Sequence, residues 1–155
     1  MAKIRKAKLS ELKTIQDLNK ALFESDSDKD AELNMNWPYE DGKEYFEGAI
    51  KGTTGVCFVA EENGEIIGYL AGSIKKVVPS FRPVRRSEVE NMLVKEEYRS
   101  KGIGAELMAA FIDWSRSNGI KYVFVQAYSS NTGAINFYKK QGFDPYSAEL
   151  ELTID

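Results

Sequence analysis

The chain has 155 residues, no histidine, one cysteine and a formal net charge of −3, from 21 lysines and arginines against 24 aspartates and glutamates. The acid excess argues against a dedicated nucleic-acid partner, whose binder is normally basic overall. Lack of histidine removes histidine general bases, His-assisted nucleophiles and His-containing metal sites, and one cysteine cannot make up a zinc site, so no metal is expected.

The length predicts a single domain over residues 1–155. Residues 2–7 read as a short strand. The first thirteen residues are charged throughout and lack the apolar core of a signal peptide, and no later run approaches a membrane span. A cytoplasmic protein without a membrane partner is expected. Ser10, with Leu12, Ile15, Leu18 and Leu22 behind it, predicts a capped amphipathic helix. Residues 24–36 are acidic and polar, a loop. Within it Asp26, Asp28, Asp30 and Glu32 alternate like a calcium loop, but Ala31 stands where glycine is needed and Trp37 where the bidentate glutamate belongs.

Residues 41–51 predict a second, shorter helix. Strands at 56–60 and 66–78 are joined by Glu62-Asn63-Gly64, a hairpin signal, with Cys57 as a buried small hydrophobe in the first. Residues 79–86 hold two prolines and three arginines and form a loop. A strand at 89–94 follows, then a helix with Ile103, Leu107, Met108, Phe111 and Ile112 on its apolar side, closed at Asn118-Gly119. Next come an apolar strand at 122–127 and a helix closed by Gly142. Alternating Ala148, Leu150, Leu152 and Ile154 predict a final strand.

Between the 89–94 strand and the helix after it runs Arg99-Ser100-Lys101-Gly102-Ile103-Gly104-Ala105. A strand feeding a glycine turn that opens a helix presents unpaired amides and a positive dipole end to an anion. Two glycines let a phosphate approach the main chain, so Gly104→Val should fill the cradle and leave the fold intact. A P-loop would need Lys-Ser/Thr after the last glycine, where Ala105 and Glu106 stand. A dinucleotide loop would need a third glycine where Leu107 stands. One helix and one strand later comes Asn131-x-x-Ala134-x-x-Phe137-Tyr138-x-x-x-Gly142-Phe143.

The two motifs, in this order and at this separation, resemble those of the GNAT N-acetyltransferase superfamily. The resemblance implies an α/β fold with a mixed central sheet flanked by helices, in the order β-α-α-β-β-β-α-β-α-β. It implies acetyl-CoA as cosubstrate, its pyrophosphate on Arg99, Ser100, Lys101, Gly102, Ile103, Gly104 and Ala105. Main-chain groups of Met92, Leu93 and Val94 would take the pantetheine arm where a bulged strand splays from its neighbour, and Asn131 would contact the arm as well. Tyr138 matches the family's tyrosine, whose hydroxyl faces the sulfur; a phenol keeps its proton at neutral pH and can hand it to a departing thiolate.

Glu88 and Glu90 alternate on the strand, so an unbroken pleat puts both on one face. Glu88 lies where histone-type members carry a catalytic glutamate; the position used by others is Gln126, which cannot act as a base. Either glutamate is expected to take the amine's proton, through ordered water. The implied reaction is direct attack of a primary amine, small-molecule or peptide, in a ternary complex. A non-catalytic acyl-CoA sensor is the alternative, and a homodimer is left open. The acidic 24–36 loop and Trp37, Tyr39, Tyr45 and Phe46 either face solvent with the aromatics packed beneath, or wall the acceptor site and favour a cation. Arg82, Arg85 and Arg86 are expected to meet the coenzyme's 3′-phosphate or an acidic acceptor, or to be plain surface.

Overall fold

The computed structural model describes residues 1–155, and its frame is one five-stranded sheet. Strands β1 (Lys3–Lys6), β2 (Val56–Glu62), β3 (Glu65–Ile74), β4 (Arg86–Val94) and β5 (Tyr122–Val125) lie side by side in that order. The first four pair antiparallel and β5 pairs parallel with β4. Helices α1 (Leu12–Asp26) and α2 (Asp41–Lys51) precede β2. Helix α3 (Ile103–Ser117) forms the crossover from β4 to β5, which a parallel pair requires, and α4 (Thr132–Lys140) follows.

All five residues from Val56 to Ala60 are buried, as expected where both faces of a sheet are covered. The pleat sends Cys57 and Val59 toward Ile15, Leu18, Phe46 and Ala49 of α1 and α2. Val56, Phe58 and Ala60 point the other way, toward Leu107, Met108 and Phe111 of α3. Cys57 is a packing residue, 1% exposed, and burial pushes its thiol up to about 12. The β2–β3 turn is the one the Asn-Gly pair predicts, with φ of 52° at Asn63 and 80° at Gly64.

Two expectations fail. Ser10 does not cap α1: Leu9–Glu11 form a 3-10 turn, and the Glu11 carboxylate accepts from the Lys8 amide at 2.8 Å. Arg5 holds Glu11 at 2.6 Å and Glu61 at 2.6 Å, tying the helix entrance to β1 and β2. The second failure is the final strand. Residues 144–155 make no backbone hydrogen bond within the chain, and Leu150, Leu152 and Ile154 stand in solvent. Period-two patterning makes a segment fit to be a strand, but only a ladder with a neighbouring edge makes it one.

Candidate active site

The centre of the molecule is shaped by an irregularity in β4. Asn91 pairs with Ala71 and Val89 with Gly72, so Glu90 is an extra residue opposite β3. Such a bulge resets the pleat. Before it, Glu88 and Glu90 share the α1–α2 face; after it that face takes Asn91 and Leu93, while Met92 and Val94 turn to the α3 side. Glu90 and Asn91 therefore project consecutively onto one face, and both reach the Tyr45 hydroxyl. Pairing between β4 and β5 stops at Val89 and Val125. From Glu90 onward the β5-facing edge of β4, with Met92, Leu93 and Val94, is open.

That wedge leads to the glycine loop. Ser100 and Gly102 have positive φ, 62° and 85°, which turn the chain sharply between Arg99 and the first turn of α3. The amides of residues 100–105 have no acceptor within the chain; the first backbone bond of the helix runs from Glu106 to the Gly102 carbonyl at 3.0 Å. They line up at the positive end of the α3 dipole, an anion site in form. Arg99 Nε donates to the Val94 carbonyl at 2.8 Å and fixes the loop to the end of β4. Gly104 has a different need from the one its spacing suggested. A Cβ there would lie 3.2 Å from two carbons of the Phe137 ring, so its bareness lets α4 close on α3, and valine would disturb packing as well as the cradle.

Asn131 opens α4, its side chain accepting from the Ala134 amide at 3.1 Å. About two turns further on, Tyr138 packs among Phe137 at 5.4 Å and Phe143 at 5.9 Å. Burial, helped by the Asp26 charge, raises its pKa, and no group of the chain engages its hydroxyl. It is a phenol that keeps its proton.

On the α1–α2 face a cleft of about 430 Å³ is lined by Asn19, Phe23, Glu32, Trp37, Tyr45, Glu90 and Asn91, among others. Glu90 is heavily engaged: Oε2 accepts from Lys75 Nζ at 2.5 Å and Ser73 Oγ at 3.0 Å, and Oε1 from Tyr45 at 2.8 Å. Glu88 shares the same lysine at 3.1 Å. Burial works against the Lys75 charge, but its bonds to the two glutamates outweigh that and raise its pKa. Burial, then the Glu90 charge, pushes the Tyr45 hydroxyl far up. Two buried side-chain oxygens, Asn19 Oδ1 and Asn91 Oδ1, have no partner. Buried acceptors normally find donors, so these two oxygens are open to a water or to a donor-bearing ligand in the cleft.

By sequence Asp26 is one of several loop acids. It is the last residue of α1, partly buried, and burial raises its carboxyl pKa above the ordinary aspartate range. Its charge acts on Tyr138, Tyr69 and Tyr128. The sequence held no signal for this, since only the packing of α1 on the sheet brings its last residue near Tyr138. The 27–36 segment crosses to the second motif through the Tyr128 hydroxyl, which donates to Asp30 at 3.3 Å. Trp37 and Tyr45 line the cleft, whereas Phe46 is in the core and Tyr39 is bound to Asp17. Arg82, Arg85 and Arg86 are misplaced for the coenzyme: Arg86 begins β4, roughly 26 Å of strand from the glycine loop that follows Val94.

A mixed sheet opened by a bulge and a splay, with a free-amide loop at one side and a phenol at the wedge, defines an acyl-CoA N-acyltransferase architecture. The chain matches the model of the Acetyltransferase (GNAT) family over residues 13–143, and it belongs to that family. It is 30% identical over 148 residues to an N-alpha-acetyltransferase of Sulfurisphaera tokodaii, covering 91% of this chain and 79% of that protein. Other curated relatives are spanned over less than two-thirds of their own length. A variant of the BH1408 protein from Bacillus halodurans has the same fold, with TM-score 0.83 at 19% identity over 98% of this chain and 99% of that one. So has AAC(6')-Iy in complex with a bisubstrate analogue, CoA-S-monomethyl-acetylneamine, with TM-score 0.78 at 18% identity over 100% and 99%.

Proposed function

We propose that this acetyltransferase moves the acetyl group of acetyl-CoA directly to a cationic primary amine held in the α1–α2 cleft. The observation that carries the reading is the run of unpartnered amides at residues 100–105, opening onto the same wedge as Tyr138. These amides, with Arg99, Ser100, Lys101, Gly102, Ile103, Gly104 and Ala105, hold the pyrophosphate. The open edge of Met92, Leu93 and Val94 takes the pantetheine arm as an added strand and turns an amide toward the developing oxyanion. Asn131 caps α4 and frames the arm.

The acceptor arrives as an ammonium ion. Its donors meet the unpartnered oxygens of Asn19 and Asn91, and the Trp37 and Tyr45 rings enclose its carbon skeleton. A carboxylate must take one proton before nitrogen can attack the thioester carbon. Glu90 is committed to Lys75, Ser73 and Tyr45, so we assign that step to Asp26, which has no side-chain partner, with Glu90 and Glu88 orienting the cleft. After attack the nitrogen passes its second proton to solvent; as the carbon–sulfur bond breaks, Tyr138 gives its proton to the sulfur and is reprotonated from solvent, and Asp26 releases the proton it took to solvent.

The test offers the protein acetyl-CoA with a panel of amines and measures free thiol. Thiol release that saturates with both substrates, without burst or ping-pong kinetics, supports the proposal. Coenzyme binding with no release for any amine would leave a sensor module instead.

A further inference from the structure

Glu90 is the most engaged carboxylate of the cleft, and the donors around it fix the direction of every bond it makes. Lys75 Nζ lies 2.5 Å from Glu90 Oε2 and 3.1 Å from Glu88 Oε1, and no other cation meets either glutamate. Ser73 Oγ gives Oε2 a second bond at 3.0 Å, and Tyr45 meets Oε1 at 2.8 Å. Paired with Lys75, Glu90 is a carboxylate, which only accepts, so the Tyr45 proton points at Glu90. That hydroxyl can then only accept from Asn91, at 3.1 Å. Asn91 therefore turns its Nδ2 toward Tyr45 and its Oδ1 away.

Asn19 is an amide of the same cleft without such an anchor. Its Nδ2 is bonded to the Tyr69 hydroxyl at 2.9 Å, but Tyr69 has no second partner and can equally donate to Asn19 Oδ1. Of the two unpartnered oxygens, only Asn91 Oδ1 ends a chain of bonds that begins at a full charge. Lys75 itself is placed by its main chain. Its amide donates to the Arg86 carbonyl at 2.8 Å and continues the β3–β4 ladder past Ile74. Its side chain is 35% exposed, and a straight apolar chain such as methionine fits in its place.

We propose, resting on the reading of the cleft as the acceptor site, that Lys75 is a positioning residue for the acceptor. Through Glu90 and Tyr45 it fixes Asn91 with its carbonyl oxygen toward the cleft, and so selects acceptors that bring N–H donors. Without the lysine, Glu88 and Glu90 leave two like charges on one face. A proton taken up there, or a carboxylate swung away, ends the one-way chain, because Tyr45 is then free to donate to Asn91 Oδ1. The amide turns, and the cleft shows an NH2 group where it had shown an acceptor. Bare charge predicts the opposite effect. Deleting a cation beside a cleft that takes ammonium ions should strengthen their binding.

Steady-state kinetics and NMR of the full chain test this in Lys75→Met, Asn91→Leu and the double variant. With the amine that turns over fastest, Lys75→Met should raise the amine KM about tenfold, the worth of one hydrogen bond to a charged group. Its kcat and its KM for acetyl-CoA should be little changed. In the Asn91→Leu background Lys75→Met should raise the amine KM no further, because both act at one place. An amine KM that stays or falls in Lys75→Met, or that rises alike in both backgrounds, overturns the proposal. NMR reads the orientation without any transfer. The Asn91 side-chain NH2 signal, identified by its loss in Asn91→Leu, should show contacts to the Tyr45 ring that weaken in Lys75→Met. A native NH2 without those contacts overturns the proposal even if Lys75→Met does not fold, and so does a folded Lys75→Met that keeps them in full. The expected orientation in a protein that acetylates no amine would strike the enzymatic reading and leave Lys75 as the residue that orients Asn91.

Discussion

In the roles proposed for them, Tyr138 and Asp26 depend on what surrounds them more than on their intrinsic chemistry. Burial and the Asp26 charge both disfavour a phenolate, so Tyr138 stays a proton donor well into alkaline solution. Tyr138→Phe should lower kcat by about a hundredfold, within the usual range for a lost general acid, with KM for acetyl-CoA little changed. Steady-state kinetics in both substrates check this, and an unimpaired kcat would remove the acid role. In the proposed mechanism the working form of the base is the carboxylate, so activity should rise as the carboxyl loses its proton. A raised Asp26 pKa moves that acid limb to higher pH than an ordinary aspartate would give. Asp26→Asn should abolish the limb in the pH profile of kcat/KM, while Glu90→Gln should leave its position and raise the amine KM. The reverse pattern would return the base to Glu90.

Elements impose constraints that no single residue displays. The bulge at Glu90 decides that Glu90 and Asn91 share a face, and so builds the floor of the cleft from two successive residues. The approach of α4 to α3 depends on Gly104. Its replacement by valine should cost about 1–3 kcal/mol through overpacking against Phe137, read as a lower denaturation midpoint. Adding Phe137→Ala should cost less in that background than in the native protein, because the two positions touch. At the other end of the sheet, Glu11 and Glu61 have pKa values lowered first by their bonds to Arg5. Their contribution to stability is present above the unfolded carboxyl pKa and is lost as pH falls through the depressed folded values. Arg5→Met should therefore flatten the acid side of the stability–pH curve, as chemical denaturation at several pH values would show.

For the molecule as a whole, the distribution of charge matters more than its sum. Glu32, Glu90 and Asp26 gather at or near the cleft, while Arg82, Arg85, Arg86 and Lys121 gather at the β5 border. The proposed cationic amine would be steered toward the cleft, and salt would screen the attraction over about 8–10 Å at ordinary ionic strength. Its kcat/KM should fall as salt rises, whereas that of a zwitterionic amine should hardly move. Equal slopes for both would mean that the acidic mouth plays no part in acceptor capture.

The sequence by itself determined the parts that rest on local chemistry and short repeats. The Asn63-Gly64 turn, the extent of α3, the helix of the second motif and the glycine loop all follow from backbone preference and apolar period, and these are legible in one strand of text. Tertiary structure alone decided what depends on residues far apart meeting. The bulge exists only in the pairing of β4 with β3, and Asp26 comes near Tyr138 only when α1 packs on the sheet. Gly104 proves to be a packing residue because Phe137 lies against it. Residues 148–154 carry the pattern of a strand and find no ladder in their own chain, since a strand is completed by its neighbour and not by its own alternation.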